Sequence, residues 1–147
     1  MNLIPNDITH FLESFKICTI CFVDEDNKPH CINCFYYFDA ENQLLVFKSS
    51  TGTNHTSLTK DGVPVSGTVL PEHIDLLKIK GLQFSGSIIS NKEASNYNIS
   101  FNYHKKYPVA IAMPGYIWAV KLNNLKYTDN SLVFGKKIIW KSKSTIL

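Results

Sequence analysis

Residues Ile17 to Ser49 read ICTICFV-DEDNKP-HCINCFYYFD-AEN-QLLVFKS: three apolar runs separated by two polar turns. The runs are rich in β-branched and aromatic residues and too short for stable helices. They predict strands at 17–23, 30–39 and 43–49. The turns Asp24-Glu25-Asp26-Asn27-Lys28-Pro29 and Asp39-Ala40-Glu41-Asn42 are short enough to fold each strand back on its neighbour. A three-strand antiparallel meander follows.

Upstream, Pro5-Asn6-Asp7 opens a short helix with Ile8, Phe11, Leu12 and Phe15 at helical spacing. Asn6 is its expected cap, and Asp7 suits the positive end of its dipole. Downstream, His55 to Lys60 reads as a short helix ended by Asp61-Gly62. Val63 to Leu70 reads as a strand, with Pro64 near its start where a missing N–H is tolerated. Leu77 to Ser90 reads as a long strand bent at Gly81 or Gly86. Asn91 to Lys106 reads as one helix, with Ala94, Tyr97, Phe101 and His104 on one face and Pro108 as its stop. Strands at Tyr116 to Tyr127 and Ser131 to Trp140 follow, joined by Thr128-Asp129-Asn130, and residues 141–147 read as a loose tail. Six to seven strands with two to three short helices in 147 residues predict a mainly β single domain over 1–147, an antiparallel barrel or strongly curled sheet.

The composition, 44% hydrophobic and 18% charged, is that of a globular chain. A domain of this length buries about 70% of its unfolded surface, enough to fold without disulfides or a metal. The net charge of +3 comes from lysine alone, because the chain contains no arginine. Arginine is the usual residue for bidentate phosphate and base-edge contacts, so nucleic acid is not an expected partner. The beginning of the chain has no basic stretch followed by an apolar run, and no apolar run approaches the ~20 residues of a membrane span. A cytoplasmic protein with reduced cysteines and no membrane partner is expected.

Two CxxC pairs, Cys18/Cys21 and Cys31/Cys34, have the spacing of a zinc site. Their context argues against one. The intervening residues are Thr19-Ile20 and Ile32-Asn33, with no glycine or proline to form a tight turn. Within a strand, residues three apart face opposite sides of the sheet, so neither pair converges on one metal. Buried thiols of the core are the expected reading, and no metal site is expected.

The stretch Phe47-Lys48-Ser49-Ser50-Thr51-Gly52-Thr53-Asn54-His55 carries a second suggestion. A strand ends in hydroxyls and glycine before a helix begins, and a helix N-terminus offers free N–H groups and positive potential to a phosphate. Ser50, Thr51 and Thr53 add donors, and Lys48 or His55 adds charge. An ordinary helix cap has the same residues.

The order of elements, with Val63-Pro64-Val65-Ser66 and Lys80-Gly81-Leu82-Gln83-Phe84-Ser85-Gly86, resembles the pyridoxamine 5'-phosphate oxidase-like split-barrel superfamily. The ending Phe134-Gly135-Lys136-Lys137-Ile138-Ile139-Trp140 resembles its small YhbP-like bacterial branch. The resemblance implies a split β-barrel, a homodimer, and FMN held between the subunits. It implies that the phosphate lies at Lys48, Ser49, Ser50, Thr51, Thr53 and His55. The flavin ring would lie along Asn33, Cys34 and Phe35, with the second subunit contributing Gln83, Lys136, Lys137 and Trp140. Phe35 and Trp140 also read as core, and Lys136 as a solvated edge charge.

The activity implied is that of an FMN-dependent oxidoreductase or flavin reductase acting on a small molecule, with NAD(P)H as a candidate donor. The flavin would carry the redox chemistry, so no catalytic side chain is named. Tyr36, Tyr37 and Tyr116 are hydroxyls that could meet a substrate or serve packing. The alternative is a non-catalytic flavin or haem carrier or sensor, for which His30, His55 or His104 could serve the iron. Pyridoxamine phosphate oxidation itself is not expected, because no basic cluster is present to grip that substrate's phosphate.

The chain departs from the superfamily where a lysine-bearing element commonly grips phosphate. Thr53-Asn54-His55 stands there instead. Lysine is charged at neutral pH, whereas an ordinary histidine with a pKa near ~6.5 is mostly neutral. If His55 meets the phosphate, FMN affinity rises from about pH 8 toward about pH 6 as the ring gains its proton. Fluorescence titration across that range checks this; a flat profile, with no gain from His55→Lys at the alkaline end, excludes the contact.

Overall fold

The computed structural model describes residues 2–49, 61–131 and 135–143. Helix α1 (Asn6–Ser14) precedes β1 (Ile17–Val23), β2 (Pro29–Asp39), β3 (Leu44–Ser49), β4 (Pro64–Val69) and β5 (Lys80–Ile88). Helices α2 (Asn91–Ala94) and α3 (Ile99–Lys106) come next, with a 3₁₀ turn between them at Ser95–Tyr97 and another at Pro108–Ala112. Strands β6 (Tyr116–Asp129) and β7 (Lys136–Lys141) complete the chain.

The strands form one antiparallel sheet in the order β3-β2-β1-β4-β5-β6-β7. An additional β3–β6 pairing, from Leu44↔Lys121 to Ser49↔Tyr116, joins the two ends. Strands β1 to β6 thereby close a barrel, and β7 extends the sheet beside residues 124–129 of β6. Closure pairs β3 with β6 and so covers strand edges that would otherwise template aggregation. The expected mainly β split barrel is the fold of this chain.

Alternation decides which side chains fill it. In β1, Cys18, Ile20 and Phe22 point into the core, while Ile17, Thr19, Cys21 and Val23 face outward. In β4, Val65 and Val69 face inward and Ser66 and Thr68 outward. Strand β3 breaks the alternation because both its faces are covered. Leu45 and Phe47 join the barrel core, whereas Leu44 and Val46 pack with Ala94, Ile99 and Tyr103 of the helical segment. The uninterrupted Leu44-Leu45-Val46-Phe47 run is the sequence signature of that double burial. Each such side chain contributes about 1.5–3 kcal/mol by leaving water. Helix α1 adds Ile8, Phe11 and Leu12 to the barrel core, and its Leu12 carbonyl accepts the buried Tyr36 hydroxyl at 2.6 Å.

Several elements differ from their sequence reading. Asn6 is the first helical residue of α1; Pro5 occupies the cap position, and no side chain caps the helix. The segment 91–106 is broken, because Asn98 takes a left-handed conformation (φ 51°) between the 3₁₀ turn and α3. The break turns Ile99 and Tyr103 inward and leaves Phe101 69% exposed, not on the buried face. Strand β5 starts at Lys80 because Asp75 accepts the backbone N–H of Leu77 and of Lys78, forming a turn that leaves Leu76 and Leu77 in solvent. The bend in β5 falls between Ser85 and Gly86, where Asn124 and Leu122 are consecutive partners and Asn123 bulges from β6. The last strand starts at Lys136, not Ser131, whose backbone N–H and hydroxyl both bind the Asp129 carboxylate in a local turn. The helix expected at 55–60 lies outside the described residues.

Gly67 shows how tightly the barrel is packed. A Cβ there would stand 2.0 Å from the Thr19 carbonyl oxygen and 2.4 Å from the Phe84 ring. Gly67→Ala is therefore expected to destabilise the protein by about 1–3 kcal/mol, the usual cost of overpacking, read as a lower urea midpoint. A midpoint unchanged from wild type would show that β1 and β4 can separate at that point.

Candidate functional site

The barrel is split where β2 and β3 part. They pair only from Tyr36↔Phe47 to Asp39↔Leu44. Beyond Tyr36, the earlier residues of β2 stay with β1, while Lys48 and Ser49 of β3 stay with β6. The backbone fork leaves a cavity of about 600 Å³ between Ile32–Phe35 on one side and Lys48 and Ser49 on the other. Helix α3 and the following turn wall it with Tyr103, Lys106, Tyr107, Pro108, Val109 and Ala110, and Met113 and Pro114 continue the wall. Helix spacing explains the first three: Tyr103, Lys106 and Tyr107 stand at i, i+3 and i+4 on one face.

Most of this surface is apolar, with a few oriented polar groups, as in a site for a ring-bearing small molecule. Phe35 is half exposed and meets the Tyr107 ring at 5.4 Å between centroids. The Tyr107 hydroxyl donates to the Tyr36 carbonyl at 2.5 Å, and burial pushes its pKa up, so it stays a donor. Lys106 lies 5.3 Å from the centroids of both the Tyr36 and Tyr107 rings. Burial, then the nearby Lys16, lowers the Lys106 pKa below the ordinary lysine value.

Lys48 is the best-defined cation of the cleft. Its Nζ donates to the Ala110 carbonyl at 2.6 Å and lies 3.1 Å from His104 Nε2. His104 Nδ1 is 2.8 Å from the Ser100 carbonyl, an acceptor. The two contacts fit a ring whose Nδ1 donates to Ser100 and whose Nε2 accepts from Lys48. Ser49 is 5% exposed and accepts the Trp118 indole N–H at 2.7 Å. Asn33 is oriented by Thr19, whose hydroxyl donates to Asn33 Oδ1 at 2.7 Å.

The cleft thus brings together Asn33, Cys34, Phe35, Lys48 and Ser49 from the residues singled out in the sequence. The others lie elsewhere in the same chain. Gln83 lines a separate hollow on the outer face of the barrel. Lys136 pairs with Asp7 at 2.6 Å beside α1, and Lys137 is exposed on β7. Trp140 is 3% exposed and donates its indole N–H to the Asn2 carbonyl at 3.2 Å, a core position. Ser50, Thr51, Thr53 and His55 lie outside the described residues. Sequence reasoning missed Tyr103, Lys106 and Tyr107. Their signal was the run Tyr103-His104-Lys105-Lys106-Tyr107, in which aromatic and basic residues share one helical face.

Cys18 and Cys21 face opposite sides of β1, and among the described residues no group of three or more His, Cys, Asp or Glu side chains could hold a metal ion. Among those residues, too, no helix is long and apolar enough to cross a membrane.

A closed six-strand barrel opened by diverging β2 and β3 is the pyridoxamine 5'-phosphate oxidase-like split-barrel fold, and solved structures share it. A protein related to general stress protein 26, of the pyridoxinephosphate oxidase family, from Clostridium acetobutylicum superposes over 92% of each chain with a TM-score of 0.59 at 18% identity. A FAD binding protein from Mycobacterium smegmatis covers 95% of this chain and 99% of its own, with a TM-score of 0.61 at 13% identity. A heme binding protein from the same organism covers 92% of this chain and 59% of its own, with a TM-score of 0.66 at 11% identity. No family model matches the sequence. Full-length relatives do. A UPF0306 protein of Photorhabdus laumondii is 34% identical over 133 residues, 90% of this chain and 92% of that protein. The UPF0306 protein YhbP of Salmonella paratyphi C is 33% identical over 133 residues, 90% of both chains. The chain belongs to the UPF0306 (YhbP) family.

The Tyr107 hydroxyl ties the helical wall to the strand beneath it. Tyr107→Phe is expected to cost about 1 kcal/mol of stability, from the lost bond to the Tyr36 carbonyl. Chemical denaturation measures it; an unchanged midpoint would show that Lys106, 3.4 Å from the same carbonyl, replaces the hydroxyl.

Proposed function

We propose that the cleft between β2 and β3 binds FMN and that the protein is a flavin-dependent oxidoreductase or flavin reductase acting on a small molecule. The observation that carries this reading is the pairing of an apolar slot with one cation at its strand end. Phe35, Tyr107 and Met113 offer flat or soft surfaces to a ring system, and Lys48 offers charge to an acidic group. Asn33, held by Thr19, keeps its amide N–H groups for a ring acceptor. The hydroxyl-rich residues Ser50, Thr51 and Thr53 follow Lys48 directly in the chain. The flavin- and heme-binding proteins of the same fold support a cofactor of this size.

Bound there, FMN would supply two-electron redox chemistry, and the protein's part is to bind, orient and exclude water. The apolar wall from Pro108 to Pro114 limits water on one side of the slot. Lys48, anchored by the Ala110 carbonyl, joins the cation to the helical wall. The complete site is read as shared with a second copy, which would bring Gln83, Lys136 and Lys137 to it.

Among the described residues, two of the three histidines considered for haem are already engaged by other groups. His104 Nε2 accepts from Lys48, and His30 is held by Asp24 at 2.7 Å outside the cleft. His55 lies outside the described residues.

An absorption spectrum of freshly purified protein, repeated after adding slight excess FMN and desalting, tests the reading. Retained bands near ~450 nm are expected, with Lys48→Met weakening FMN binding at least about tenfold, since a charge-assisted contact of 1.5–3 kcal/mol is lost. NAD(P)H oxidation by the flavin-loaded protein then separates an enzyme from a carrier. A colourless protein that releases all added FMN and shows a Soret band on adding haem would overturn the flavin assignment.

A further inference from the structure

The β1–β2 hairpin carries a second chemically reactive arrangement, outside the cleft. Its register sets Cys18 opposite Cys34 and Cys21 opposite Cys31. The sulfurs are 3.7 Å apart in the first pair and 2.9 Å apart in the second. Alternation sends the two pairs to opposite faces of the hairpin. Cys18 is 1% exposed in the core, whereas Cys31 is exposed and Cys21 half-buried on the outer face.

The backbone distinguishes the pairs further. Tyr36 N donates to the Lys16 carbonyl and Asp24 N to the Lys28 carbonyl, so 16/36 and 24/28 are hydrogen-bonded pairs. Hydrogen-bonded and non-hydrogen-bonded pairs alternate along an antiparallel ladder. Cys18–Cys34 is therefore a hydrogen-bonded pair and Cys21–Cys31 a non-hydrogen-bonded one. At the latter kind of position the Cα atoms are closest, about 4.5 Å apart, and the side chains lie nearest each other. That spacing falls within the ~4.4–6.8 Å that a disulfide spans. Cys21 also borders the hollow of about 390 Å³ lined by Ser66, Gln83, Asn124 and Lys126. The hollow gives a small reagent room beside the sulfurs. Lys126 adds a cation suited to the carboxylates of a peptide-like molecule.

We propose that Cys21 and Cys31 form a thiol–disulfide exchange site that reacts with low-molecular-weight peptide disulfides of the glutathione type and closes reversibly to a cross-strand disulfide. Cys31, the exposed thiol, reacts first. Its thiolate attacks one sulfur of the small disulfide, the S–S bond breaks, and one small thiolate leaves and takes up a proton. Cys21 then attacks the Cys31 sulfur of the mixed disulfide, and the second small thiolate leaves and is protonated. The two cysteines lose two electrons and two protons, and one small disulfide becomes two thiols. The order agrees with the Cys21 thiol being pushed up to about 11 by its hydrogen bond to Cys31, then by burial. The sulfur geometry of the pair stands apart from the cofactor reading, which assigns Gln83 of the same hollow to a second copy's cleft.

The test incubates the full-length reduced protein with excess oxidised glutathione, quenches in acid, and measures the mass before and after alkylation in denaturant. The expected product is lighter by two hydrogens and has two of its four cysteines open to alkylation. Cys34→Ala is expected to give the same internal disulfide, Cys31→Ser none, and Cys21→Ser a protein stopped as the glutathione adduct. Four alkylatable cysteines in treated wild type overturn the proposal. So does a disulfide that survives in Cys31→Ser and vanishes in Cys34→Ala, because the bond then belongs to the core pair.

Discussion

The β3–β6 pairing is the interaction on which the rest of this molecule depends. Six residues of β3 are matched to the start of β6, from Leu44↔Lys121 to Ser49↔Tyr116, and this ladder joins the far ends of the sheet. Because β6 holds β3 along its whole length, β3 cannot follow β2 when the two diverge past Tyr36. The cleft results from one strand having two neighbours that point it in different directions. The same closure buries both faces of β3 and requires a helical cover over Leu44 and Val46, which α2 and α3 supply. That cover then overhangs the fork and becomes its wall.

The polar contacts of the region follow from this geometry. Polar groups buried beside the fork need hydrogen-bond partners. The Tyr36 carbonyl takes the Tyr107 hydroxyl, and the Ala110 carbonyl takes Lys48. Trp118 and Ser49 satisfy one another at the end of β3. Each of these bonds also connects the barrel to its helical cover or fixes a side chain beside the cavity. Closure of the fold and preparation of the cleft therefore rest on the same side chains.

Much of this was legible in the sequence. The runs at 17–23, 30–39 and 43–49 are strands within a residue or two, because alternation and β-branching are local properties. Asn33, Cys34, Phe35, Lys48 and Ser49 were singled out together, and the fork brings them together. Other features were not legible. The helix 91–106 looked continuous, since a left-handed Asn98 leaves little mark on hydrophobic spacing. Tyr103, Lys106 and Tyr107 were not singled out, because no local pattern says what a helix will cover. The cysteines looked like two CxxC pairs along the strands, whereas the register makes them two pairs across the strands.

By itself, then, the sequence determined the first three strands, their antiparallel order through the meander and the mainly β class. All of these depend on period-two alternation and on turns of a few residues, interactions between near neighbours in the chain. Only the tertiary structure decided the closure of β3 on β6, the helix laid over the fork, and which sulfurs stand together on which face. Those outcomes depend on contacts between residues such as Lys48 and Ala110, 62 positions apart, whose meeting is set by register and burial summed over the whole barrel.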